Sequence, residues 1–193
     1  MSFHTEQDGP AETWHMNAAT AYAAEGKYVD AYNRLFGAAN GRLQKFFMTI
    51  GARIHHDHVR DYGLNTIYDE TLRMDLSYDG RESLAAVLER GWESAKRHYH
   101  YSHLENDPTK PRLDCPEEWR KNYENVENYL KAMDMVSENQ QLKENILQSL
   151  ITDIPANIKY LRETWEEEYE FKKYTINHHF TKIYPDSYYN VNY

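Results

Sequence analysis

Apolar side chains recur along much of the chain at spacings of three and four residues, which is the period of an amphipathic helix. In the clearest case one apolar stripe lies opposite a charged face and consists of Trp119, Tyr123, Val126, Leu130 and Met133. Pro116 suits the first position of a helix, and the two glutamates after it complement the positive end of the helix dipole. The pattern therefore predicts a helix that begins at Pro116 and continues towards Leu150.

Further helices are predicted on the N-terminal side of this stripe. The Ala- and Tyr-rich segment 13–39 favours a helix interrupted near Gly26, and the pair Asn40-Gly41 predicts a break. A second helix is predicted from about 42 to 58, with an apolar face that consists of Leu43, Phe46, Phe47 and Ile50. A short helix is predicted in 67–74.

Asp79 is a suitable N-cap for the next predicted helix. Its apolar stripe consists of Leu84, Val87, Leu88 and Trp92. Pro155 interrupts the chain before another predicted helix at 157–176, which has an acidic middle. Residues 1–12 and the aromatic tail after 177 are predicted to be extended arms. With no repeat and no β-rich region, the fold class predicted is all-α, a small helical domain with extended N- and C-terminal arms.

The composition is polar for a chain that must bury its own core. Hydrophobic residues make up 40% of the chain and charged residues 27%, and the mean hydropathy is −0.91. Such a composition is typical of a chain that completes the burial of its apolar side chains against partner proteins. The 17 tyrosines and 4 tryptophans suit interfaces, because their rings bury well while a polar group stays hydrogen-bonded. Tyrosines that simply face solvent are an equally good interpretation.

Charge, apolar runs and cysteine content exclude several classes. The net charge of −9, without a basic cluster, argues against a nucleic-acid partner. The longest apolar run, Phe46–Ala52, is far shorter than the roughly 20 residues of a spanning helix. A single cysteine, Cys115, excludes an internal disulfide and favours a reducing compartment. The acidic N-terminus resembles neither a secretory signal nor a standard transit peptide.

Two histidine clusters are the features that favour an enzyme. They consist of His55, His56 and His58, and of His98, His100 and His103. Three imidazoles in one place could bind zinc or iron, but on a helix only two members of each cluster share a face. The glutamates within 165–170 also diverge around a helix. Since the chain has no Gly-rich phosphate loop and no nucleophile elbow, no catalytic, cofactor-binding or metal-ligating residue is assigned.

Motifs between Leu43 and Glu138 follow one another in an order that is informative. Gly63-Leu64 precedes the segment Ile67–Glu70, and a Leu-x-Tyr stretch at 76–78 leads into the helix with Trp92. A loop containing prolines then opens a helix whose motif consists of Pro116, Glu117, Trp119, Tyr123, Glu124, Tyr129, Leu130 and Lys131. Together these motifs resemble subunit 7 of the mitochondrial cytochrome bc1 complex (complex III), the ubiquinone-binding protein. The N-terminal region is longer than in that family, 105–112 enlarges a loop, and the chain beyond about 140 has no counterpart.

The resemblance implies a non-catalytic accessory subunit of the respiratory electron-transport chain. Similar proteins lie peripherally on the matrix side of the mitochondrial inner membrane, against cytochrome b and the core subunits. They have no cofactor of their own, because the partner subunits hold the haem and the quinone. On this basis the domains are predicted as an N-terminal arm with an extra helix (1–41), a subunit-7-like helical domain (42–138) and a C-terminal helical extension with an aromatic tail (139–193).

Six residues are predicted to contact partners. They are Phe46, Phe47, Arg53, Trp92, Trp119 and Tyr123. Phe46, Phe47 and Arg53 are candidates for contacts with cytochrome b or with lipid headgroups. Two alternatives stay open: a helical adaptor or stalk in another mitochondrial assembly, such as ATP synthase, and a metal-dependent enzyme built on the histidine clusters.

Overall fold

The computed structural model describes residues 11–50, 52–54, 57–101, 115–152 and 180–182, with side chains at 11–50, 60–97 and 115–150. Helices hold most of these residues: α1 (Ala11–Ala24), α2 (Tyr28–Thr49), α3 (Asp57–Arg73), α4 (Leu84–Tyr101), α5 (Pro116–Glu138) and α6 (Gln140–Thr152). Two strands of three residues each, β1 (Ala52–Ile54) and β2 (Phe180–Lys182), pair in antiparallel orientation. The predicted all-α class is confirmed, with this strand pair as a minor addition.

The chain divides into two compact units. The first comprises Met1–Arg42 and Arg90–Leu130, and the second comprises Leu43–Glu89 and Lys131–Tyr193. The first unit therefore contains α1, whereas the second contains α3, α6 and the strand pair. The domain boundaries that the sequence indicated stay a prediction.

In the first unit, α4 and α5 approach each other closely at Gly91. A Cβ at this position would lie 2.3 Å from Cβ of Tyr129 and 2.6 Å from the carbonyl oxygen of Asn125. The Asn125 amide also donates a hydrogen bond of 2.9 Å to Oγ of Ser94. The rings of Trp92 and Tyr129, both buried, lie 6.0 Å apart beside this crossing. Only glycine permits so short a distance between the two backbones.

In the second unit, α3 packs against α6. The side chains that α3 and α6 bury include Leu64, Ile67, Leu142, Ile146 and Leu150. The carboxylate of Glu70, which is only 4% exposed, accepts hydrogen bonds from Oγ of Ser149 and from the Arg73 guanidinium. This unit also has a close contact at Gly63, where a Cβ would lie 2.6 Å from Cζ of Phe47.

A closed turn joins α3 to α4. Asp75 has a φ of 50° and Gly80 a φ of 77°, and the amide of Leu76 donates 3.0 Å to the carbonyl of Thr71 in the manner of a Schellman motif. Asp79 accepts from the amides of Arg81 and Glu82, so it closes this turn rather than capping α4. The prediction of Asp79 as the helix N-cap is therefore wrong, because α4 begins only at Leu84.

The prediction of a break at Asn40-Gly41 is also wrong. Helix α2 continues through both residues to Thr49. The side chains at helical spacing on either side are buried, namely Leu35, Ala38, Ala39, Leu43, Phe46 and Phe47. One glycine inside a helix costs about 1 kcal/mol, which burial of a single leucine already offsets. A continuous apolar stripe therefore overrides the local turn signal.

Other boundaries differ from the sequence prediction in smaller ways. The helix predicted at 42–58 ends at Thr49, whose hydroxyl donates to the Phe46 carbonyl, and α3 extends over Asp57–Arg73 rather than a short segment. Helix α5 begins at Pro116 as predicted, but Asn139 separates it from α6 and caps that helix through the amide of Leu142. The helix predicted at 157–176 lies outside the described residues. Both arms do so too, apart from β2 and from Ala11 and Glu12, which begin α1 rather than belonging to an extended arm.

Within the described residues no helix is both long enough and apolar enough to cross a membrane.

Candidate partner-binding surface

The first turns of α5 present an aromatic cluster around Trp119 in the first unit. The Trp119 ring makes an edge contact with Tyr32 at 5.2 Å and with Tyr28 at 6.3 Å, and it lies 5.9 Å from Tyr123. Residues four apart share a helix face, so Tyr28 and Tyr32 of α2 both reach Trp119, and Tyr123 lies beside Trp119 on α5. Edge contacts of this kind stabilise a fixed ring orientation.

Tyr32 is the buried member of the cluster and holds it in place. Its ring is fully buried, and its hydroxyl accepts a hydrogen bond of 3.0 Å from Nδ2 of Asn122, which also donates 2.8 Å to the carbonyl of Glu118. Burial raises the pKa of Tyr32, against a smaller lowering by the Asn122 hydrogen bond. The hydroxyl is therefore neutral at physiological pH. It stabilises the packing of the cluster through its hydrogen bond with Asn122.

A cleft opens beside this cluster, between α1 and α5. Its volume is about 440 Å³, and it is lined by Thr20, Ala23, Ala24, Pro116, Trp119, Arg120 and Tyr123. The α1 wall consists of small side chains one helical turn apart, and the α5 wall includes two aromatic rings, those of Trp119 and Tyr123. The lining is mostly apolar, and one side is open to solvent. The cleft thus offers ring faces on one side and a wall of small side chains on the other.

Arg120 is the cation on the α5 wall, and its side chain is exposed. It has no ion pair or hydrogen bond with any residue that the structure describes. Three other basic residues of the unit do form ion pairs: Arg97 with Glu118, Arg42 with Glu12, and Lys27 with Glu25. Arg120 therefore places a positive charge beside the apolar cleft, and no described carboxylate forms an ion pair with it.

A second cleft, between α4 and α5, has a different character. Its volume is about 470 Å³, and its lining is polar: Arg90, Glu93, Ser94, Arg97, Glu118, Lys121, Asn122 and Asn125. Arg97 is paired with Glu118, and Asn125 with Ser94. The lining therefore carries both signs of charge, and the Arg97–Glu118 pair neutralises part of it.

The outer face of α1 carries a further aromatic contact. Trp14 is 48% exposed, and the guanidinium carbon of Arg34 lies 4.7 Å from the centre of its ring. His15 beside it is half-buried over Gly37, where a Cβ would lie 2.6 Å from the imidazole. Desolvation lowers the pKa of His15, Arg34 lowers it further, and Glu12 opposes both.

The structure distributes the six residues predicted to contact partners unevenly. Phe46, Phe47 and Trp92 are covered by the chain itself, at 2% exposure or less. The side chain of Arg53 lies outside those described. Trp119 and Tyr123 come together at the apolar cleft. Whether any of the six touches a partner stays a prediction.

The sequence did not reveal the other wall of the cleft. Thr20, Ala23 and Ala24 have small side chains at helical spacing, which is the available signal for close helix approach. These residues are far from Trp119 along the chain, and no pattern in the sequence indicated that α1 lies beside α5. Arg120 was not predicted as a site residue, because it is one of several charged residues on the helix that begins at Pro116.

The histidine clusters lie outside the side chains that the structure describes. Among the described residues, no group of three His, Cys, Asp or Glu side chains is arranged to hold a metal ion.

Comparison of the chain with protein-family models, with curated proteins and with solved structures finds no match.

Proposed function

We propose that this chain is a non-catalytic structural subunit of the mitochondrial ubiquinol–cytochrome c oxidoreductase. In this proposal it packs peripherally on the matrix side of the inner membrane, against cytochrome b and the core subunits. It contributes to assembly and stability of the complex, and the partner subunits hold the haem and the quinone.

One observation carries the proposal: the ordered motifs between Gly63 and Lys131. They are the Gly-Leu pair, the Tyr-acidic segment, the amphipathic helix with Trp92 and the Pro-acid-x-Trp-x-x-x-Tyr-acid start of α5. No single one of these motifs is specific. Their succession is what resembles subunit 7.

The surface of the described residues adds physical support for a packing role. Five large apolar side chains are more than a third exposed: Trp14, Val29, Met48, Leu72 and Met135. Aromatic residues, methionine and arginine are enriched at protein interfaces. A ring already held in one orientation buries apolar surface there with little loss of side-chain entropy. The Trp119 cleft belongs to the same class of surface.

A native gel of mildly solubilised mitochondrial membranes tests the proposal. The gel is probed for this chain and read for haem absorbance. Co-migration with b- and c-type haem at the size of the dimeric complex is the expected result. Migration with ATPase activity would overturn it in favour of a helical adaptor of ATP synthase, and migration free of any complex would overturn both.

A further inference from the structure

We infer that the cleft between α1 and α5 binds a segment of another polypeptide, one that presents an apolar side chain flanked by an aspartate or glutamate. The apolar side chain lies between Ala23 and Trp119, and the carboxylate pairs with Arg120. The inference rests on the proposed role as a packing subunit, but not on which assembly the chain belongs to.

Charge complementarity identifies the chemistry of the occupant. Arg120 has no anionic partner among the described residues, although the chain as a whole carries nine more acidic than basic residues. A guanidinium beside an apolar wall binds a carboxylate more strongly once the occupant excludes water from that side. The occupant therefore combines an apolar group with a nearby negative charge.

The shape of the cleft favours a polypeptide over a small molecule. Sites for small ligands enclose most of the ligand surface, whereas this cleft is open along one side. The ring of Trp119 is held from behind by Tyr28 and Tyr32, so little side-chain freedom is lost when a partner docks. Small side chains on α1 allow the backbone of the docked segment to approach closely.

A second copy of this chain is a poorer occupant than a different protein. Two chains that each carry a net charge of −9 repel one another at long range. A partner with a less acidic surface avoids this repulsion, and a local carboxylate still pairs with Arg120.

Photo-crosslinking from within the cleft tests the inference on the full chain. A photoreactive amino acid replaces Ala24, which is exposed at the cleft, in cells that assemble the protein. Mass spectrometry of the crosslinked peptides then identifies the residue attached. The expected product joins Ala24 to an apolar residue of a different polypeptide, within one helical turn of an aspartate or glutamate.

Charge reversal separates the role of Arg120 from general surface effects. Arg120→Glu should lower the crosslink yield about fivefold or more, whereas Lys121→Glu, the neighbouring exposed cation outside the cleft, should change it less than about twofold. Replacing the partner carboxylate by arginine should restore the yield with Arg120→Glu. Equal helicity of the two variants by circular dichroism shows that each is folded.

Four results would overturn the inference. They are a crosslink to this chain itself, in the same or a second copy, a crosslink to a lipid or other small molecule, no crosslink from Ala24 in the assembled protein, and equal losses for the two charge variants. A polypeptide crosslink outside complex III would refute the proposed assembly and leave the cleft proposal standing. Co-migration with haem without the crosslink would do the reverse.

Discussion

The hydroxyl of Ser149 on α6 donates a hydrogen bond of 2.7 Å to Oε1 of Glu70 on α3, a carboxylate almost fully withdrawn from water. A buried charge needs such partners, because the free energy lost with its hydration must be recovered from hydrogen bonds. The contact joins two helices of the second unit that are far apart in sequence.

Ser149→Ala should lower the free energy of unfolding by about 1.5–3 kcal/mol, the usual range for a hydrogen bond to a charged group. Urea unfolding followed by circular dichroism measures the loss. Ser137→Ala is the matched control, since the Ser137 hydroxyl donates only to the carbonyl of Met133 in its own helix. A change within about 0.5 kcal/mol is expected there. Equal effects of the two variants would show that Ser149 does not support Glu70.

The same substitution at two helical glycines should have opposite effects. Gly91→Ala forces a methyl group against Tyr129 and the Asn125 carbonyl, and should cost about 3 kcal/mol or more. Gly41→Ala meets nothing within 4 Å and should raise the free energy of unfolding by about 0.5–1 kcal/mol, because alanine favours the helix. Thermal and urea unfolding of both variants measure the difference. A destabilised Gly41→Ala would mean that α2 is not a continuous helix.

Asn122 and Tyr32 should prove energetically coupled. Tyr32→Phe removes one hydrogen bond and should cost about 1 kcal/mol, since Asn122 keeps the Glu118 carbonyl as acceptor. Asn122→Ala leaves the buried Tyr32 hydroxyl without its donor and should cost about 2–3 kcal/mol. The double variant should lose less than the sum of the two single losses. Strict additivity in this cycle would refute the contact.

His15 should make stability fall under mildly acidic conditions. Its pKa in the folded chain is below the value of about 6.5 expected in the unfolded chain, so the unfolded state binds the proton first as pH falls. Its contribution is full above pH about 6.5 and decreases from there down to the folded-state pKa. Since other histidines also titrate, the measurement is the difference between wild type and His15→Gln across this range. Parallel curves for the two proteins would contradict the prediction.

The sequence predicted those elements whose apolar periodicity and terminal signals agree. Pro116 followed by two glutamates and a regular stripe identified the start of α5, and the stripe from Leu84 to Trp92 identified α4. At Asn40-Gly41 the local signal and the periodicity disagreed, and the periodicity decided the structure. Asn139 ends one helix and caps the next, a boundary that one residue in a continuous helical pattern did not reveal.

Only the α5 side of the candidate surface could be predicted from the sequence. Trp119 and Tyr123 were predicted to contact partners, and both line the apolar cleft, but contact with a partner stays a prediction. The α1 wall could not be found in this way, since alanines at helical spacing are equally common in cores. Three other residues predicted to contact partners are buried within the chain itself: Phe46, Phe47 and Trp92. No property of the sequence separates such buried apolar residues from those at a surface.

The strand pair imposes an order on biosynthesis. Residues of β1 leave the ribosome long before their partners Phe180, Thr181 and Lys182. The ladder therefore forms after all six described helices have been synthesised, and it closes a long loop at a late step of folding. A nascent chain that stalls before Phe180 exposes the hydrogen-bonding edge of β1.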